Sequence, residues 1–157
     1  MSPRKVSPLP GKFWPQVAKS DGCWEWTASK TQYGYGHMRH AGKDLAAHRI
    51  SYEMAYGEIP DKMLVDHICQ NRACVRPDHL RLATQKQNLE HREGVRSASG
   101  VRGVYWHEEC RKWQVAVGHN YKRHSGGLFA DLDEAEAAAI ALRNKLFTHN
   151  NNDKKAA

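Results

Sequence analysis

The sequence predicts an α+β chain of two small units, a strand–loop–strand–helix unit followed by a three-stranded antiparallel sheet with one helix. Two observations carry this prediction. Short apolar runs bounded by glycine, proline and polar residues recur in both halves, the mark of short strands. Two stretches, near residues 46–57 and 132–146, switch to the spacing of one helical face. The small, polar segment EGVRSASG divides the chain near residue 97. With 157 residues, each unit can bury only a thin core.

Taken in order, residues 1–20 contain four prolines and little periodicity, and read as an extended arm. CWEWTAS and YGYGHMRH then suggest two strands with a turn near residues 30–32. In AAHRISYEMAYG, Ala47, Ile50 and Met54 share a helical face, and Gly57 with Pro60 ends the element. MLVDHI is a short apolar strand, followed by a polar, cysteine-bearing loop and a second strand, LRLA. Thr84 is a natural N-cap for the helix TQKQNLEHR. Beyond the divide, GVYW, KWQVAV and KRHSGGLF read as three strands. A helix from Asp133 follows, with Leu132, Ala135, Ala139, Leu142 and Leu146 on one stripe and Asp133 and Glu134 at its positive end. The polar tail, residues 148–157, reads as disordered.

Composition narrows the class of function. Hydrophobic residues at 40% against 26% charged residues give the balance of a soluble globular protein. No run approaches the roughly 18 apolar residues of a membrane span, and MSPRKVSPLP has no apolar signal core, so a cytoplasmic protein without membrane contact is expected. The net charge of +7 and pI near 9.3 favour a polyanionic partner, in a cytoplasm usually nucleic acid. Without an export signal, Cys23, Cys69, Cys74 and Cys110 point to metal or burial before disulfides. Cys110 stands alone and has no assigned role.

The residues that carry chemistry lie in 65–88. Phosphodiester hydrolysis needs an activated water and neutralisation of developing charge, which a neutral imidazole and a divalent cation supply. A hard cation such as Mg²⁺ or Mn²⁺ takes oxygen ligands, few of them from protein. Asp66 and the side-chain oxygen of Asn88 suit that cation, and His67 suits the base.

This arrangement resembles the His-Asn-His, or ββα-metal finger, nuclease superfamily, whose first strand ends in an Asp-His pair and whose following helix supplies a metal-binding Asn or His. The resemblance implies that His67 is the general base and that Asp66 and Asn88 hold the catalytic metal. It departs at His79, nine residues before Asn88, where the superfamily usually has an Asn that orients the base. His79 instead completes the series Cys69-x4-Cys74-x4-His79, and with Cys23 makes a Cys3His set suited to closed, structural zinc. The same spacing resembles the His-Cys box homing endonucleases, in which zinc pins the loop between the active-site strands. One geometric demand follows. Adjacent strand residues point to opposite faces, so Asp66 and His67 can share one phosphate only where the strand ends or bulges.

LAAHRISYE resembles the helix before the active site in phage nucleases of this group; His48 and Arg49 near its start could dock a phosphate. Arg49 could equally pair with Glu53 one turn on. The stretch GVRGVYWHEECRKWQVAVGHNYKRHSGGLF with its Ala-rich helix resembles the Apetala-type (ethylene-response-factor) DNA-binding domain. By that resemblance Arg102, Arg111, Trp113 and Gln114 contact bases, Lys112, Lys122 and Arg123 contact phosphates, and Tyr105 and Trp106 contact sugars or thymine methyls. Val115 and Val117 share a strand face with Trp113, so Trp113 could instead pack under the helix.

The expected organisation is an arm (1–20), a zinc-stapled nuclease unit (21–95), an Apetala-type unit (99–147) and a tail (148–157). The expected activity is metal-dependent hydrolysis of double-stranded DNA in a host cell, of the homing or phage type. The alternative is a zinc-containing DNA-binding regulator without catalysis. A monomer would nick and a symmetric dimer could cut both strands, and the sequence leaves both open.

Overall fold

In a computed structural model, described over residues 9–91 and 97–148, the chain forms two compact units, Met1–Gln85 and Lys86–Ala157. Among the described residues the fold is mixed α+β, with four α-helices and small antiparallel sheets.

The first unit opens with α1 (Leu9–Phe13), a 3₁₀ turn over Trp14–Gln16, and β1 (Val17–Ala18), which pairs with β2 (Glu25–Trp26). Residues 9–18 therefore depart from the expected extended arm, of which residues 1–8 lie outside the described residues. The reason is apolar burial. Phe13 and Trp26 are both fully buried, with ring centroids 5.0 Å apart. Pro10 sits in the first turn of α1, where a missing N–H costs nothing.

β3 (His37–His40) pairs with β4 (Lys43–Ala46) across a turn in which Ala41 and Gly42 have φ of 49° and 80°. The strand expected before residues 30–32 does not pair with β3 as a ladder; an isolated bridge, Lys30↔Gly36, remains. Gly36 is required by packing, because a Cβ there would lie 2.6 Å from the Trp26 ring. α2 (Ala47–Tyr56) buries Ala47 and Ile50, packs Met54 on the same cluster, and stops at Gly57 with φ 91°. β5 (Leu64–His67) and β6 (Leu80–Ala83) pair in register from Leu64↔Ala83 to His67↔Leu80.

α3 (Gln85–His91) has all but its first residue in the second unit. Of the expected linker, residues 93–96 lie outside the described residues, as do residues 149–157 of the expected tail. β7 (Val104–His107), β8 (Lys112–His119) and β9 (Lys122–Phe129) form an antiparallel sheet in the order β7-β8-β9. α4 (Leu132–Leu146) covers one face, with Val104, Val115, Ala135 and Ala139 at the core. Its cap is Asp131, whose carboxylate accepts from the N–H groups of Asp133 and Glu134. The helix thus starts one residue before Asp133. The β8–β9 register shifts between Val115 and Ala116, opposite Gly126, where a Cβ would lie 2.4 Å from Val115 Cγ1. No helix among the described residues is long and apolar enough to cross a membrane.

Candidate active site and metal centre

The loop between β5 and β6 folds back on the β1–β2 segment through main-chain bonds. Trp26 N–H donates to Ala73 O (2.9 Å), Val75 N–H donates to Trp24 O (2.8 Å), and Glu25 bridges Cys74. Arg76 Nη1 donates to the carbonyls of Asp21 and Gly22, and Asn71 Nδ2 donates to Glu25 Oε1. This lacing brings Cys23 to the cysteines of the loop. The Cys23, Cys69, Cys74 and His79 ligand atoms all lie within 4.8 Å of one another.

Two of these separations can be tested against zinc. On a tetrahedral centre with Zn–S of about 2.3 Å and Zn–N of about 2.05 Å, sulfur and nitrogen sit about 3.5 Å apart. Cys23 Sγ and Cys74 Sγ each lie 3.6 Å from His79 Nδ1. The cluster can hold zinc. The Cys69 thiol is held down to about 4, first by its bond with Cys74 and further by the Asn71 backbone, Cys23 and His79, against the burial that raises it. Cys74 is pushed up, first by its bond with Cys69 and then by burial. A metal bound here would displace the thiol protons.

His67 closes β5, two residues before this loop begins at Cys69. Its Nε2 lies 3.0 Å from the Cys74 carbonyl. A carbonyl oxygen only accepts, so Nε2 carries the proton and Nδ1 is the basic nitrogen. The residue is only 6% exposed and its ring lies 4.9 Å from that of His48 and 5.9 Å from that of Tyr35. Burial lowers its pKa most, opposed by the Cys74 carbonyl and by Cys69 and Asp66. His48, in the first turn of α2, is lowered to about 3 by burial, then by His67 and Arg49. Both imidazoles are neutral at physiological pH. Arg49, half-buried, is the next residue of that turn.

Asp66 pairs in register with Arg81 on β6, whose Nε and Nη2 both donate to Asp66 Oδ2 at 2.9 Å. The ladder has no bulge at Asp66 or His67; β5 ends at His67. Asn88 is half-buried on α3 and belongs to the second unit, whereas Asp66 and His67 belong to the first.

The candidate nucleic-acid residues of the second unit divide by face. Val104↔Val115 and Trp106↔Trp113 are cross-strand pairs on the α4 side, and Trp113 packs on the α4 core. The bulge lies beyond Val115 and does not release Trp113, so that indole contributes to packing on the covered face. Tyr105, Gln114 and Leu128 share the open face. There Arg123 lies 5.8 Å from the Tyr105 ring centroid and donates to Gln114 Oε1 at 3.5 Å. Lys112 and Lys122 are exposed strand residues, and Arg111 is exposed in the β7–β8 turn with φ 49°. Arg102 is engaged elsewhere: Nη1 donates to Glu90 O (2.8 Å) and Nη2 to Leu89 O (3.3 Å).

Sequence reasoning missed Arg81, Tyr35, Arg72 and Arg76. Arg81 needed the β5–β6 register to be seen opposite Asp66. Arg72 donates to Tyr33 O and lies 5.6 Å from the Tyr35 ring centroid, contacts that leave no local sequence signal.

Comparison with known proteins finds a family match over the segment that holds these residues. Residues 45–90, which hold His48, the Asp66–His67 pair, the zinc-type loop and Asn88, match the family model described as HNH endonuclease. Escherichia phage T7 Protein 7.7 is 41% identical over 70 residues, 45% of this chain and 54% of its own length. Protein 2.8 of the same phage is 35% identical over 71 residues, 44% of this chain and 48% of its own length. The chain thus spans about half the length of these two relatives. Phage T7 Protein 3.8 is 32% identical over 99 residues, 62% of this chain and 79% of its own length, and the chain belongs to that protein's family. No solved structure matches.

Proposed function

We propose that the chain is a divalent-metal-dependent endonuclease that hydrolyses phosphodiester bonds in double-stranded DNA, of the homing or phage HNH type, acting in the host cytoplasm. The observation that carries this is the setting of His67. It is a buried, neutral imidazole whose Nε2–H is held by a carbonyl of the Cys3His loop, inside the segment that matches the HNH endonuclease family.

In this reading His67 Nδ1 takes the proton of the attacking water, and the Cys74 carbonyl fixes the ring's tautomer and tilt. Arg81 orients the Asp66 carboxylate. Asp66 and Asn88 offer the carboxylate and amide oxygens that a hard cation prefers, and would hold Mg²⁺ or Mn²⁺. That cation supplies charge neutralisation at the phosphate and the leaving 3′ oxygen. Cys23, Cys69, Cys74 and His79 would hold zinc as a staple of a ββα-metal finger made by β5, β6 and α3. His48 and Arg49 contact phosphate from the start of α2. The second unit acts as an Apetala-type domain whose open face, with Gln114, Arg123, Lys112, Lys122 and Arg111, lies on duplex DNA.

A regulator that binds DNA without cutting it is the second reading, and the ion pair of Asp66 with Arg81 is the observation that favours it. Incubation of supercoiled plasmid with Mg²⁺ and, in parallel, with EDTA separates the two. The nuclease converts plasmid to nicked or linear form only with Mg²⁺; the regulator retards it in both and cuts it in neither. Structured RNA as a competing substrate tests whether duplex DNA is preferred.

A further inference from the structure

Over its described residues α3 carries one large apolar side chain, Leu89, which is 52% exposed, whereas Glu90 and His91 are buried. Within the second unit polar contacts converge on Leu89 and Glu90.

Glu90 is 6% exposed and its carboxylate is surrounded. Lys86 Nζ, one turn earlier, lies 3.3 Å from Oε1; His119 Nδ1, at the end of β8, also lies 3.3 Å from Oε1; and the Thr148 N–H donates to Oε2 at 3.3 Å. Arg102 supplies the second anchor. Its guanidinium forks onto the main-chain carbonyls of Leu89 and Glu90, tying down the α3 backbone on either side of the Glu90 side chain. The fork is itself supported, with Arg102 Cζ 5.3 Å from the Phe147 ring centroid and Arg143 Nη1 donating to Arg102 O. The His119 ring lies 5.9 Å from the same Phe147.

We infer that the C-terminal unit is the frame that positions α3 and, through it, Asn88. Arg102 is then a positioning residue for the metal-binding helix and not a base contact, with the Glu90–His119 pair as its second clamp. This rests on the proposed reading of Asn88 as a metal ligand.

The test uses the full-length, zinc-loaded protein and follows plasmid cleavage against Mg²⁺ concentration, with duplex affinity measured separately by fluorescence anisotropy in Ca²⁺. Arg102→Ala is expected to lower kcat and raise the half-saturating Mg²⁺ together, by about 10–100-fold as for other residues behind a metal ligand. Duplex affinity should stay within about twofold, and Arg102→Lys, which cannot fork onto two carbonyls, should recover only part of the loss. Glu90→Gln should show the same pattern more weakly, and serves in place of Arg102→Ala if that variant fails to fold. Weaker duplex binding by Arg102→Ala with an unchanged Mg²⁺ requirement would make Arg102 a DNA contact and overturn the inference. So would wild-type behaviour of both Arg102→Ala and Glu90→Gln. Asn88→Ala is run beside them: loss of cleavage supports the reading underneath, and wild-type Mg²⁺ dependence in that variant overturns it whatever Arg102 does.

Discussion

At the scale of residues, the candidate site is a set of polar groups taken out of water, each with a stated physical reason. His48 illustrates the cost. It is neutral in the folded chain, with its pKa lowered to about 3 from 6.5, so unfolding lets it take up a proton below pH 6.5. Its contribution is fully present above pH 6.5 and is lost as pH falls toward about 3, at up to about 1.4 kcal/mol per pH unit. Urea denaturation across that window should show His48→Asn with a shallower loss of stability on acidification than wild type; equal slopes would mean His48 is not held neutral. Arg81 gives a second prediction. Replacing it by Met removes two bonds from a carboxylate that is 7% exposed, and should cost about 3 kcal/mol by denaturant unfolding. Of these residues, Asp66 and His67 could be picked out from the sequence because the pair resembles the end of the first strand in the His-Asn-His superfamily and is interleaved with the Cys/His series and Asn88. Arg81 could not, because its partner is set by strand register and not by sequence distance.

At the scale of elements, the loop from Cys69 to His79 joins strands whose own apolar contacts are few, with Ile59, Val65 and Leu80 as their buried cluster. Metal should therefore carry much of the order of this region. Purified protein should contain about one zinc per chain by elemental analysis, and the Cys69→Ala/Cys74→Ala double variant should lose it and melt at a lower temperature. Retention of zinc by that variant would contradict the assignment. The spacing of Cys69, Cys74 and His79 was readable, whereas Cys23 was readable only as a remaining cysteine, since its approach depends on the main-chain lacing of residues 24–26 onto 73–75. β5, β6 and the strands of the second unit were readable because hydrophobic runs and turn residues bound them. β4 was not, because Lys43–Ala46 has no alternating face and owes its pairing to the Ala41–Gly42 turn. α1 was hidden by prolines that its first turn and the following 3₁₀ turn tolerate.

At the scale of the whole molecule, the charge of +7 is the property that any nucleic-acid function must use. Binding to duplex DNA should weaken steeply with salt, each phosphate contact contributing about −0.9 to the slope of log K against log salt. Arg123→Ala on the open face should reduce that slope by about one contact while leaving sequence preference unchanged, as anisotropy titrations at several salt concentrations would read. An unchanged slope would remove Arg123 from the interface. The first unit carries His67, the proposed base, and the Cys3His cluster, and the second carries α3 from Lys86 onward and a basic, aromatic sheet face. The central claim, however, is that His67 is the base of a phosphodiester hydrolysis. Single-turnover cleavage of supercoiled plasmid in Mg²⁺, by wild type and His67→Ala purified in parallel with equal zinc content, tests it directly. The expected result is metal-dependent nicking or linearisation by wild type and a rate about 10²–10⁴-fold lower for His67→Ala. Equal rates for the two proteins would contradict it.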